Sequence, residues 1–112
     1  MLTYITLFNL RAREIKNIKD EPGHIEGIIK GAEAMGGKVL GVYSTKGEYN
    51  YVTIGEFPSD GAQLTFAVAH GSRGHVRSTT LKAFTKEEFA KLVEKVPKPI
   101  DQGEIVLMRK SL

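Results

Sequence analysis

Residues Gly37 to Phe57, GKVLGVYSTKGEYNYVTIGEF, decide the architecture. Two runs rich in β-branched and aromatic residues, 38–45 and 49–57, flank the polar turn Thr45-Lys46-Gly47-Glu48. Strand formers on either side of a glycine-containing turn predict a β-hairpin. On its N-terminal side, Gly36-Gly37 closes a helical pattern, because glycine accepts the conformation in which helices end. On its C-terminal side, Pro58 and Ser59 precede a second helical pattern.

Working outward, Leu2–Asn9 reads as a first strand. Residues 13–35 contain the first helix, best supported from Asp20, an N-cap candidate followed by Glu21 and by Pro22 in the tolerant first turn. Ile25, Ile28, Ile29 and Ala32 fall at i, i+3, i+4 and i+7 and mark its buried face. Gly23, Gly27 and Gly31 form a flank beside that stripe, where a neighbouring helix can approach closely; the alternative is simply a weak helix. Ser59 caps the second helix, whose predicted stripe is Leu64, Ala67, Val68 and Gly71. Residues 76–84 read as a fourth strand. Thr85 and Glu88 form a capping box for a third helix with Phe89, Leu92, Val93 and Val96 along one side. The order is β-α-β-β-α-β followed by a helix. The fold class is therefore α+β, a ferredoxin-like sandwich over residues 1–96. Pro97 and Pro99 stop the last helix, and the extension 97–112 carries a short strand, Ile105–Met108, expected to pair with a partner subunit.

The bulk properties suit one domain. The chain has 112 residues, 41% of them hydrophobic and 26% charged, which is the composition of an ordinary globular protein. The absence of cysteine excludes disulfides and thiolate chemistry. The net charge of +3 is spread along the chain without the basic patch that nucleic-acid binding requires. No run reaches the ~18 apolar residues of a membrane span, and residues 1–10 lack the parts of a signal peptide. A cytoplasmic protein with no nucleic-acid or membrane partner is expected.

Alternation sorts the strand residues into two faces. Ile5, Leu7, Leu40, Val42, Val52 and Ile54 form an aliphatic face, expected beneath the helices. Tyr4, Thr6, Phe8, Val39, Gly41, Tyr43, Tyr51, Thr53, Gly55 and Phe57 form a mixed face, expected to meet a second copy of the sheet. On strand four, Leu81 and Ala83 are placed with the aliphatic set and Arg77 with them, unless a bulge reverses the strand. One layer of helices covers one sheet face, so a homodimer or higher even homo-oligomer is expected. A pocket between sheets, or between helices and sheet, and a filled interface remain alternatives.

The pieces Ile15–Asp20, Gly36–Val39, Gly41-Val42-Tyr43, Gly47–Asn50, Gly71-Ser72, Val76-Arg77 and Thr80–Thr85 together resemble the GYD domain family. The resemblance runs from Tyr4 to Phe89 and implies a small ferredoxin-like domain of the dimeric α/β barrel group, with no settled activity. In the name-giving Gly-x-Tyr-Asp pattern, Gly47 and Tyr49 match and Asn50 stands in place of the aspartate. A role that requires a carboxylate there is not expected in this chain.

The candidate ligand contacts are Tyr4, Tyr43, Tyr51, Thr53, His75 and Arg77. Tyrosines can donate hydrogen bonds to a ligand oxygen. His70, Arg73, His75 and Arg77 form a cationic segment suited to an anion, or simply to the negative end of a helix. His70 and His75 have no nearby carboxylate, so no metal site is expected, and no cofactor is expected either. His24 is expected to be exposed. The leading reading is small-molecule binding. The alternatives are a cofactor-independent enzyme acting on a small carbonyl or aromatic compound, and an assembly module without a ligand.

Overall fold

The structure, a computed structural model, describes residues 1–72 and 76–98. Strand β1 (Leu2–Leu10) leads through a short helix α1 (Ala12–Lys16) and a 3₁₀ turn (Ile18–Asp20) into α2 (Glu21–Ala34). The hairpin β2 (Lys38–Ser44) and β3 (Tyr51–Phe57) follows. After it come α3 (Asp60–Ser72), β4 (Val76–Ala83) and α4 (Lys86–Glu94). The sheet is antiparallel throughout, in the order β2-β3-β1-β4. This is the ferredoxin-like α+β arrangement: the two strands joined by the first helix are separated by β3.

Local chemistry sets the element ends. Helix α2 closes as a Schellman motif. The Gly37 N–H donates to the Ala32 carbonyl at 2.8 Å and the Gly36 N–H to that of Glu33 at 3.0 Å. Gly36 holds φ at +77°, a conformation that costs glycine least. The Ser59 hydroxyl accepts from the Ala62 N–H at 3.1 Å and so caps α3. Thr85 and Glu88 complete the reciprocal capping box of α4. Asp20 precedes α2, but its side chain makes no capping hydrogen bond.

The two sheet faces take the opposite layers from those expected. Tyr4, Phe8, Tyr51, Thr53 and Phe57, the mixed set, are buried beneath the helices. Tyr4 and Phe57 pack with Ala32, and Phe8 and Tyr51 with Ile28. The physical reason lies in the helix. The small Ala32 of α2 leaves room that the rings of Tyr4 and Phe57 fill. Tyr4 meets Phe57 edge-on, with ring centroids 5.9 Å apart, and Phe66 of α3 closes over Phe57 at 5.3 Å. The hydroxyls find partners at the margin: Tyr4 donates to Asp60, and Thr6 and Thr80 lie 3.4 Å apart.

Ile5, Leu7, Val52 and Ile54 turn to the opposite, open face, half-buried. Leu81 lies across from Ile5, and Arg77 across from Asn9, so both sort with the aliphatic set, and with it they lie on the open face and not beneath the helices. Strand β2 departs from simple alternation. A bulge between Val39 and Gly41 inserts Leu40 as an extra residue. Val39 and Val42 therefore both face the helices, opposite Gly55 and Thr53, while Gly41 and Tyr43 join the open face.

Helix α3 also presents a different stripe. Its inward side is Ala62, Gln63, Phe66, Ala67 and His70, while Leu64 and Val68 stand exposed. The ring of Phe66 packs against the aromatic core and fixes the rotation of the helix. The glycine flank of α2 acts as expected at one position: a Cβ on Gly31 would lie 3.2 Å from His70 Nε2 and 3.3 Å from Phe66. Helix α4 buries none of its residues; Phe89, Leu92 and Val93 are exposed along its apolar side. The expected strand Ile105–Met108 lies outside the described residues. Among the described residues, no helix is long and apolar enough to cross a membrane.

Candidate functional site

Glu21 opens α2 on the same stripe as Ile25, Ile28 and Ala32, so the helix carries its carboxylate down toward the sheet. It is 6% exposed. A carboxylate in the first turn is favoured by the helix dipole. Its Oε2 lies 3.1 Å from Nδ1 of His24, one turn along the helix, and its Oε1 is buried without a hydrogen-bond partner. Tyr51, 3% exposed, begins β3 and lies beneath α2, and its hydroxyl is likewise buried without a partner. Burial, reinforced by the charge of Glu21, pushes the Tyr51 phenol far above its ordinary range, so it remains an O–H group at neutral pH.

Both groups line one cavity of about 150 Å³ that is partly open to solvent. The volume exists because α2 carries glycine there. A Cβ added at Gly23 or Gly27 would meet nothing within 4 Å. Ile28 and Val76 add apolar wall, and His24 and His70 bring imidazoles to the rim. A smaller void of about 20 Å³ shares Ile28 and His70 with it. Glu21 and Tyr51 also border an outer groove that includes Asn50. The arrangement holds one free carboxylate oxygen, one phenol and two imidazoles around an apolar hollow.

The candidate residues read from the sequence divide among several places. Tyr51 is in this cavity. Tyr4 is buried in the other core cluster, with Ala32 and Phe57, and its hydroxyl is engaged by Asp60, which also bonds Lys82 at 3.2 Å. Burial first, and then Asp60, push the Tyr4 phenol up to about 12. Thr53 is buried under the helices, opposite Thr6. Tyr43, 60% exposed, stands on the open face. Arg77 is exposed on that same face, at a shallow depression beside Arg11. Tyr51 on one side, and Tyr43 and Arg77 on the other, do not share a site within one chain. Of the cationic segment, His70 reaches the cavity, while Arg73 and His75 lie outside the described residues. Among the described residues, no group of three potential ligands could hold a metal ion.

The family model of the GYD domain matches residues 4–93. The chain belongs to the GYD domain family. The crystal structure of TTHA0845 from Thermus thermophilus is similar to this GYD domain, at 23% sequence identity and a TM-score of 0.48. The match covers 76% of this chain and 95% of that one. No curated protein matches the sequence.

The structure gives the Asn50 position of this GYD domain a mechanical role. Asn50 Oδ1 accepts from the Leu10 N–H at 2.8 Å, its own N–H donates to the Phe8 carbonyl at 2.9 Å, and its carbonyl accepts from Thr45 at 2.9 Å. The residue ties the hairpin to the end of β1. That role needs an acceptor oxygen, which amide and carboxylate both supply. The candidate groups that the sequence reading does not place in the site are Glu21 and His24. Their signal was spacing: Glu21 precedes Ile25, Ile28 and Ala32 by four, seven and eleven residues, which puts an acid on the buried stripe.

Proposed function

We propose that this GYD domain binds a small molecule in the cleft between α2, the end of α3 and the sheet. One observation carries the reading: Glu21 and Tyr51 line the same hollow, and each holds a buried polar atom without a hydrogen-bond partner, Glu21 Oε1 and the Tyr51 hydroxyl. Leaving such a group unsatisfied costs about 1–3 kcal/mol, and more when it is charged. Buried polar atoms in folded proteins are ordinarily paired. A bound molecule supplies what the chain does not.

Native mass spectrometry tests this, comparing the non-covalent mass of the purified protein with its denatured mass. Wild-type protein is expected to carry added mass that Gly27→Leu, which fills the hollow, loses. Absence of added mass, together with a crystal structure showing only water against Glu21 and Tyr51, would overturn the reading.

A second observation supports self-association. The open sheet face presents Ile5, Leu7, Val52, Ile54 and Leu81, and an aliphatic surface of this kind is what protein interfaces use. Two copies of one face are self-complementary about a two-fold axis, and a homodimer through the open sheets is the reading this supports. Light scattering should give a dimer for the wild type and a monomer for Ile54→Arg. A wild-type monomer at high micromolar concentration would count against it.

A further inference from the structure

We infer that the cavity selects a compact molecule bearing a protonated amine on an apolar body about the size of a benzene ring. The inference rests on the small-molecule reading above and adds the class of ligand. Size follows from volume: a hollow of about 150 Å³ accommodates a molecule of roughly benzene dimensions. The apolar body follows from the walls, where Gly23, Gly27, Ile28 and Val76 offer no side-chain donors or acceptors.

The polar end follows from Glu21. A carboxylate oxygen only accepts hydrogen bonds, so the partner of Oε1 must bring an N–H or O–H. The other oxygen already faces His24. A cationic donor also makes a charged hydrogen bond to the carboxylate, about twice as strong as a neutral one. A carboxylate or phosphate ligand would instead set like charge against the Glu21 carboxylate at close range. Tyr51 can serve a ligand as acceptor or as donor, and its position adds direction without changing the class.

The test uses four probes that share one ring: benzylamine, benzyl alcohol, toluene and benzoate. Each is titrated into ¹⁵N-labelled full-length protein while the Gly23 and Gly27 amide signals are followed. Benzylamine is expected to bind most tightly, benzyl alcohol more weakly, toluene more weakly still, and benzoate not measurably. Glu21→Gln, which keeps the shape and removes the charge, should weaken benzylamine about tenfold or more and leave toluene unchanged. Gly27→Leu should abolish binding of every probe, and it provides a cavity control should Glu21→Gln fail to fold. Benzoate or toluene binding as tightly as benzylamine would overturn the ligand class and leave the pocket standing. No response at Gly23 and Gly27 to any probe would overturn both.

Discussion

The ring of Phe8 lies flat against that of Tyr51, with centroids 4.5 Å apart and planes 12° apart. The two residues are direct cross-strand partners on β1 and β3. Stacking on Phe8 and packing with Ile28 leave the ring of Tyr51, a residue of the cavity wall, little freedom. Phe8→Ala removes half of that clamp. The expected cost is about 3–5 kcal/mol of stability, as for other buried phenylalanines. Urea unfolding followed by circular dichroism would measure it. A loss below ~1 kcal/mol would mean that the clamp contributes little.

Glycines on one helix should respond oppositely to the same substitution. Gly27→Ala places a methyl in open space and gains helix propensity, so it should stabilise by about 0.5–1 kcal/mol. At Gly31 the methyl meets His70 and Phe66 at 3.2–3.3 Å, and α3 must shift to admit it, so Gly31→Ala should fall below Gly27→Ala in melting temperature. Gly37→Ala, just past the helix end, should be the worst of the three, because its Cβ would sit 2.7 Å from the Glu56 carbonyl, a backbone atom that cannot swing aside. Melting curves of the three variants settle the ranking, and a gain for Gly37→Ala would contradict this packing.

Part of this was legible in the sequence. The hairpin around Gly47, the glycine stop at Gly36-Gly37, the Ser59 cap and the Thr85–Glu88 box are local chemistry, and each stands as read. The layering of the sheet was not legible, because alternation groups residues by face without saying which face meets the helices. The decision lies in how the rings of Tyr4, Phe8 and Tyr51 pack on Ala32 and Ile28 of α2, a property of two elements together. The bulge at Leu40 was hidden for the same reason: Val39 and Val42 read equally well in either register. In the site, the sequence marks Tyr51 as a mixed-face tyrosine able to donate a hydrogen bond. Glu21 was read as a first-turn acid, and only its phase with Ile28 separates that role from a buried one.

Stability should fall at both ends of the pH range, for separable reasons. On the alkaline side, the Tyr4 phenol ionises near 10 in the unfolded chain and is held to about 12 in the fold by burial and by Asp60. Its folded value is raised, so its contribution is intact below pH 10 and is lost progressively as pH rises toward 12. Tyr51 shifts in the same direction and adds to the loss. On the acid side, hydrogen bonds from Tyr4 and Lys82 hold Asp60 below its ordinary 3.8. The contribution of Asp60 is therefore present above that value and is lost as pH falls through its depressed one. Urea midpoints from about pH 3 to about pH 11.5 should show both slopes, and Tyr4→Phe should flatten each of them. An unchanged alkaline slope in Tyr4→Phe would assign that loss to other groups.

Helix α4 offers a test of whether the C-terminal part of the domain is mechanically coupled to the rest. Thr85 accepts from the Glu88 N–H at 3.1 Å, and Glu88 accepts in return from the Thr85 N–H at 2.8 Å, yet the helix buries none of its residues. Losing such a cap costs about 1 kcal/mol of helix stability. In an unattached helix that cost stays local. Thr85→Ala should then raise amide exchange within residues 86–94 while the global urea midpoint stays where it was. If the midpoint falls as well, α4 is part of the cooperative unit. If the wild type is a dimer and Ile54→Arg a monomer, repeating the measurement on that variant would show where it docks. Coupling that vanishes in the monomer would place the apolar side of Phe89, Leu92 and Val93 against the second subunit, while coupling that persists would place it on its own domain.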